Sequence, residues 1–182
     1  QTVSVTGEAV DEWALNLVNQ AIADGLMPEH LSGQDLRESI ARAQFAALTV
    51  RLYEAASGQT APAPAEGNPF TDTDDPQVLK AYAMGFTAGV SDTAFGPDQL
   101  LTREQAAVML SAVCRALGAD IPAGEPAFSD SGGISSWARD CVAYMSGRGV
   151  IAGYGDGRFG PQDNAQRQAC LIMALRIFQS AQ

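Results

Sequence analysis

The chain has 182 residues, 46% apolar and 18% charged, with a formal net charge of −10. That composition builds one compact domain, or a few small units sharing a core, and excludes a disordered chain. The acidic field, with no basic run to offset it, argues against nucleic acid as a partner, and no apolar stretch reaches the roughly 18 residues a membrane-spanning helix needs.

The chain begins at Gln1, with no initiator methionine and no signal-like segment, which fits a mature secreted protein or a trimmed piece of one. The first predicted helix runs from Trp13 to Gly25, followed by the loop Leu26-Met27-Pro28-Glu29-His30. A second helix starts near Arg42 and carries the stripe Phe45, Leu48, Thr49, Leu52, Tyr53 at i, i+3, i+4, i+7, i+8 spacing. The segment from Ser57 to Gly67 is rich in Pro and Ala, has no apolar periodicity, and reads as an extended, mobile linker.

A second unit opens at Phe70-Thr71-Asp72 and passes Gly85, Gly89, Phe95 and Pro97 to reach Leu101-Thr102-Arg103-Glu104-Gln105-Ala106. Its second helix repeats the stripe as Ala106, Met109, Leu110, Val113 and Cys114. The third unit opens at Phe128-Ser129-Asp130. Its first helix starts at Trp137, with Cys141, Tyr144 and Met145 on the same face, and stops at Gly147 and Gly149. The glycine-rich loop from Gly153 to Pro161 follows, then a helix after Arg167 with the stripe Cys170, Met173, Ala174, Ile177 and Phe178.

Units two and three match at a constant offset of 64, and Trp13 to Gly25 is the same step as Trp137 to Gly149. Arg42, Arg103 and Arg167 are separated by 61 and 64 positions, each at the start of a striped helix. One supersecondary unit used three times is the reading of such a period, and three stripes facing one another predict a shared three-helix core. The expected fold is therefore all-α, three helix-loop-helix repeats in one pseudo-threefold module. Its parts are residues 1–56 (divergent), the linker 57–67, residues 68–121 and residues 122–182.

The arginines are the leading site candidates. Thr102 and Gln105 form a capping box, which puts Arg103 at the first helical position. There the unsatisfied helix amides, the positive dipole end and a bidentate guanidinium favour a carboxylate or phosphate. The competing role is an ion pair with an acidic residue of the next unit. Trp13 and Trp137 suit core packing first and sugar stacking second. Gly89 and Gly153 permit either positive φ or close approach of a ligand to the backbone. Cys114, Cys141 and Cys170 read as buried small apolar residues. Asp156-Gly157 falls short of a calcium loop because the loop holds one carboxylate, so no metal or other cofactor is expected. The single histidine, His30, and the lack of a nucleophile or metalloprotease motif leave catalysis third among the function classes.

Phe128-x-Asp130, Trp137-Ala138, Gly149-Val150-Ile151-Ala152-Gly153, Asp156-Gly157-Arg158-Phe159-Gly160-Pro161 and Thr102-Arg103-Glu104-Gln105-Ala106 together resemble the S-layer homology motif. The resemblance implies a three-pronged spindle around a central helix bundle, on a secreted protein held at the bacterial cell wall or S-layer. It also implies binding of a secondary cell-wall polymer, often through a pyruvylated aminosugar, with other domains possible on the same polypeptide. Carried over by position, the family's Thr-Arg-Ala-Glu arginine is Arg42, Arg103 and Arg167, and its Glu is Gln44, Gln105 and Ala169. The preceding threonine survives only as Thr102, being Ala41 and Gln166 elsewhere. By local context Arg103 ranks first, Arg167 second through its glycine-rich loop, and Arg42 last. The alternative function is a protein–protein or S-layer assembly module with degenerate sugar grooves.

Overall fold

The computed structural model describes residues 4–182; Gln1 lies outside the described residues. Six α-helices carry the fold: α1 Leu15–Ala23, α2 Arg42–Ser57, α3 Pro76–Ala83, α4 Arg103–Ala116, α5 Arg139–Gly147 and α6 Arg167–Ser180. Short 3-10 turns lie at Glu29–Leu31, Ser131–Gly133 and Ser136–Ala138. Among the described residues the only extended pairing is three isolated bridges, so the class is all-α as expected.

The short helices end alike because their sequences do. Gly25, Gly85 and Gly149 take left-handed φ of 76°, 71° and 70°. The amides of Leu26, Phe86 and Val150 then reach back to the carbonyls of Ala21, Ala81 and Met145 at 2.9 Å. This is the Schellman stop, with an apolar residue just past the glycine folding into the core. The starts differ. Asp75 caps α3 through the Gln77 amide at 2.8 Å, with Pro76 at the first helical position. Trp137 sits in the 3-10 turn, and α5 begins only at Arg139. The Ser135 hydroxyl donates to Glu104 at 2.7 Å instead of capping a helix there.

The long helices α2, α4 and α6 pack on one another in all three pairings. Their stripes are buried at every position in α2 and α4, and in α6 at all but Phe178, which packs from the rim. The short helices follow a cyclic rule: α3 packs on α2, α5 on α4, and α1 on α6. Each unit's first helix therefore covers the second helix of the unit before it, and α1 closes the circle.

The same circle exists in the backbone. Ile40 donates its amide to the Ala165 carbonyl (2.9 Å), Ala165 to Leu101 (2.9 Å), and Leu101 to Ile40 (3.3 Å). All three residues are fully buried, so these paired groups must satisfy each other. Ser57, at the predicted start of the linker, closes α2 instead, with Gly58 as a left-handed cap. Beyond it Ala61 is buried, and its amide donates to the Glu54 carboxylate at 3.0 Å, pinning the segment to α2.

Candidate functional site

Arg42, Arg103 and Arg167 each occupy the first position of a long helix. The amides there are not free. Those of Arg42 and Ala43 donate to the carbonyls of Gln99 and Pro97, those of Arg103 and Glu104 to Asp163 and Pro161, and those of Arg167 and Gln168 to Glu38 and Leu36. The expected anion site on helix amides is thus filled by backbone from another unit. What remains for a ligand is the guanidinium alone.

The Thr102–Gln105 capping box is complete: Gln105 N–H donates to Thr102 Oγ1 (3.4 Å), and Thr102 N–H to Gln105 Oε1 (2.9 Å). With Ala41 only half survives, the Ala41 amide donating to Gln44 Oε1 at 3.0 Å. Thr102, Gln44 and Gln105 therefore set the pose of the helix start and of the arginine on it.

Each arginine reaches the loop of the following unit. Arg103 Nε donates to the Phe159 carbonyl at 2.7 Å, and its guanidinium lies 4.6 Å from the Tyr154 ring and 5.2 Å from the Phe159 ring. No carboxylate pairs with Arg103 among the described residues. Arg42 repeats this geometry on unit two: Nε to Phe95 O at 3.0 Å, a terminal nitrogen to Ala88 O at 2.6 Å, and the Phe95 ring at 4.8 Å. Burial pushes the Arg42 guanidinium below its ordinary value, and the Asp72 carboxylate opposes that.

Arg167 faces unit one, which lacks the aromatic loop. It donates to Gln44 Oε1 (3.2 Å) and the Asp35 carbonyl (2.8 Å), and pairs with Glu38 at 3.1 Å. Arg42, placed last by local sequence context, has the fuller surroundings in the fold, and Arg167 is paired with the exposed Glu38. The glycine-rich loop just before Arg167 in sequence serves Arg103.

The loops are shaped by the Phe-x-Asp openings. Asp72 accepts from the amides of Phe95 and Gly96, and Asp130 from those of Phe159 and Gly160, all at 2.8 Å. The Phe95 and Gly96 amides hold the Asp72 carboxyl below its ordinary value. At Asp130 partial burial pushes upward, and the two amides outweigh it. A Cβ on Gly153 (φ 70°) would meet the Arg158 carbonyl at 2.5 Å and the Phe128 ring at 3.0 Å. Gly89 has no left-handed φ, and a Cβ there would meet the Phe70 ring and the Ala94 carbonyl at 2.8 Å. Both glycines make room for the phenylalanine of the Phe-x-Asp opening and for the loop's own backbone.

Core packing, the first expectation for the tryptophans, is overturned: Trp13 is 60% and Trp137 56% exposed. Trp137 follows Ser135, whose amide and hydroxyl both donate to Glu104 (2.9 and 2.7 Å), next to Arg103. Two residues escaped sequence reasoning. Tyr154 lies inside the glycine-rich loop, is half exposed, covers Arg103, and donates to Asp163 at 2.9 Å. Glu104 is a buried carboxylate that also accepts from Gln162 at 2.8 Å. The thiols are buried as expected, and burial pushes Cys114 up to about 11 and Cys170 up to about 12.

The long helices thus start with half-buried arginines at the seams between units, a repeat arrangement shared by all three. The S-layer homology domain model matches residues 69–107 and 127–169, and these two segments belong to that family. Each match runs from the Phe-x-Asp opening into the following long helix, and the first unit lies outside both.

The chain is 30% identical to cell surface glycoprotein 1 of Acetivibrio thermocellus over 78% of its own length and 6% of that protein's. It is 32% identical to a cell surface protein of Thermoanaerobacter kivui over 59% of the chain and 15% of the relative, and 28% identical to an endoglucanase of a Bacillus species over 80% and 16%. The chain thus spans about a sixth or less of the length of each relative. S-layer homology domains are anchoring domains of the cell surface that in general bind cell-wall polymers, and this chain carries two matches to that domain. No helix among the described residues is long and apolar enough to cross a membrane.

Proposed function

We propose that this module tethers a larger surface polypeptide by binding an anionic secondary cell-wall polymer through Arg103, and more weakly through Arg42. The ligand group is a carboxylate, for which a pyruvylated aminosugar is the best fit. One observation carries the reading. The Arg103 guanidinium is held against Tyr154 and Phe159 by a single 2.7 Å bond from Nε and has no carboxylate partner, which leaves its terminal N–H groups to a ligand. A stacked, half-buried guanidinium offers a planar pair of donors matched to a carboxylate. Arg167, already paired with Glu38, serves the fold. In this reading residues 1–56, 68–121 and 122–182 act as three units with unequal sites, and the chain itself has no catalytic part.

The test is co-sedimentation with isolated wall polymer before and after chemical removal of its pyruvyl groups. Binding should fall with either depyruvylation or Arg103→Ala. Binding that survives both would sink the carboxylate–arginine mechanism. Self-association without polymer binding would point instead to an assembly module.

A further inference from the structure

Arg42 and Arg103 meet loops that close with the same backbone bond. The Val90 amide donates to the Ala94 carbonyl at 2.8 Å, and the Tyr154 amide to the Arg158 carbonyl at 3.0 Å. These positions stand at the offset of 64, as do Ala88 with Ala152, Phe95 with Phe159 and Gln99 with Asp163. Nε is used alike, Arg42 donating to the Phe95 carbonyl (3.0 Å) and Arg103 to that of Phe159 (2.7 Å). The terminal nitrogens are not. Arg42 donates one of them to the Ala88 carbonyl at 2.6 Å. On Arg103 the Nε bond is the only hydrogen bond of the side chain among the described residues, and the exposed Ala152 does not act as Ala88 does.

One ring separates the two arginines. A phenylalanine lies beside each guanidinium, but the Tyr154 ring, 4.6 Å from that of Arg103, has Val90 in its place in unit two. The ring is fixed on several sides. Its hydroxyl donates to Asp163 Oδ2 at 2.9 Å, and it lies so close to Gly160 that a Cβ there would come within 2.6 Å of it. The Asp163 carbonyl also accepts the Arg103 amide at 2.9 Å, so one residue holds both the ring and the helix start. Stacking engages the flat face of a guanidinium, whereas hydrogen bonds leave from its edge. A guanidinium held by its face keeps its edge donors for another partner.

We propose that Tyr154 is the positioning residue that keeps the terminal N–H groups of Arg103 clear of the protein, and that its replacement by Val90 lets Arg42 settle on the Ala88 carbonyl. The bearing of this on polymer binding rests on the wall-polymer reading; the positioning itself needs no ligand.

The experiment measures how fast phenylglyoxal, a dicarbonyl that closes on the two terminal nitrogens of an arginine, modifies Arg42 and Arg103 in the folded chain, read by peptide mass spectrometry. Arg103 should react about tenfold faster than Arg42, the effect of one charge-assisted bond. Tyr154→Val should slow Arg103 by about the same factor, Val90→Tyr should speed Arg42, and Tyr154→Phe should stay nearer the parent than Tyr154→Val. A ring that merely shields Arg103, or a variant that loosens the fold, gives the opposite sign, faster modification in Tyr154→Val, and overturns the proposal. Unchanged rates at both arginines would place the difference in the Gly89 and Gly153 turns, of which only Gly153 is left-handed, and would overturn it as well. Rates that move as expected with no change in polymer co-sedimentation would count against the anchoring reading alone.

Discussion

At the residue scale, sequence position and structural role separate most clearly at the arginines. All three start a long helix, yet the group that completes each site comes from the next unit. Arg103→Ala should lower polymer affinity roughly 10- to 100-fold, the loss of a charge-assisted pair, with little change in stability. Arg167→Ala should do the reverse, leaving polymer binding intact and costing about 1 kcal/mol in urea denaturation. Most of that cost comes from the bonds to Gln44 and the Asp35 carbonyl, because the Glu38 partner is exposed and the ion pair is screened.

Acid tests the loop aspartates. Asp72 and Asp130 titrate below the ordinary aspartate value of 3.8, so the unfolded chain takes up protons first as pH falls. Their contribution is complete above that pH and is lost progressively below it. Asp130→Asn should therefore flatten the acid limb of stability, measured as Tm between about pH 5 and pH 2, relative to the parent.

At the element scale, helix ends and stripes were legible because they are local. Gly149 reads as a stop in the sequence, Gly25 and Gly85 match it by spacing, and each takes the left-handed conformation that only a missing Cβ makes inexpensive. The Thr102–Gln105 box was read from a four-residue pattern and is present. Thr102→Ala should cost about 1 kcal/mol, seen as a lower denaturation midpoint at unchanged slope. Leu110 is fully buried at the meeting of the long helices, and Leu110→Ala should cost about 2–5 kcal/mol by the same measurement. The exposed tryptophans and the Glu104–Ser135–Gln162 cluster were not legible in the same way. Trp13 and Trp137 look like core residues in any apolar pattern, yet both face solvent.

At the scale of the whole molecule, the circle of contacts explains how modest units share one core. Each short α-helix packs on the long helix of the unit before it, and so does the turn ahead of α5; only the Glu29–Leu31 turn lies on the long helix of its own unit. The closing joint is Gln168. It is fully buried at the start of α6, accepts from the Asp11 amide at 3.0 Å, and donates to the Asp11 carboxylate at 2.6 Å. Glu104 holds Ser135 one unit earlier by accepting from its amide and its hydroxyl. Gln168→Ala should therefore loosen the first unit's attachment, costing about 2 kcal/mol and raising hydrogen exchange in α1 before the rest of the core.

The sequence by itself determined the helices, their stops, the repeated apolar stripe and the family, because each depends on residues within a turn or two of one another or on a motif carried whole. It also placed an arginine at the first position of every long helix. Only the tertiary structure decided what surrounds each arginine. Each lies where the helix start of one unit meets the loop of the next, so Arg42 takes unit two's aromatic loop, Arg103 takes unit three's, and Arg167, closing the circle, meets the unit that has none. Charge pairing and stacking depend on distance in space, and the order of units around the axis, not along the chain, sets those distances.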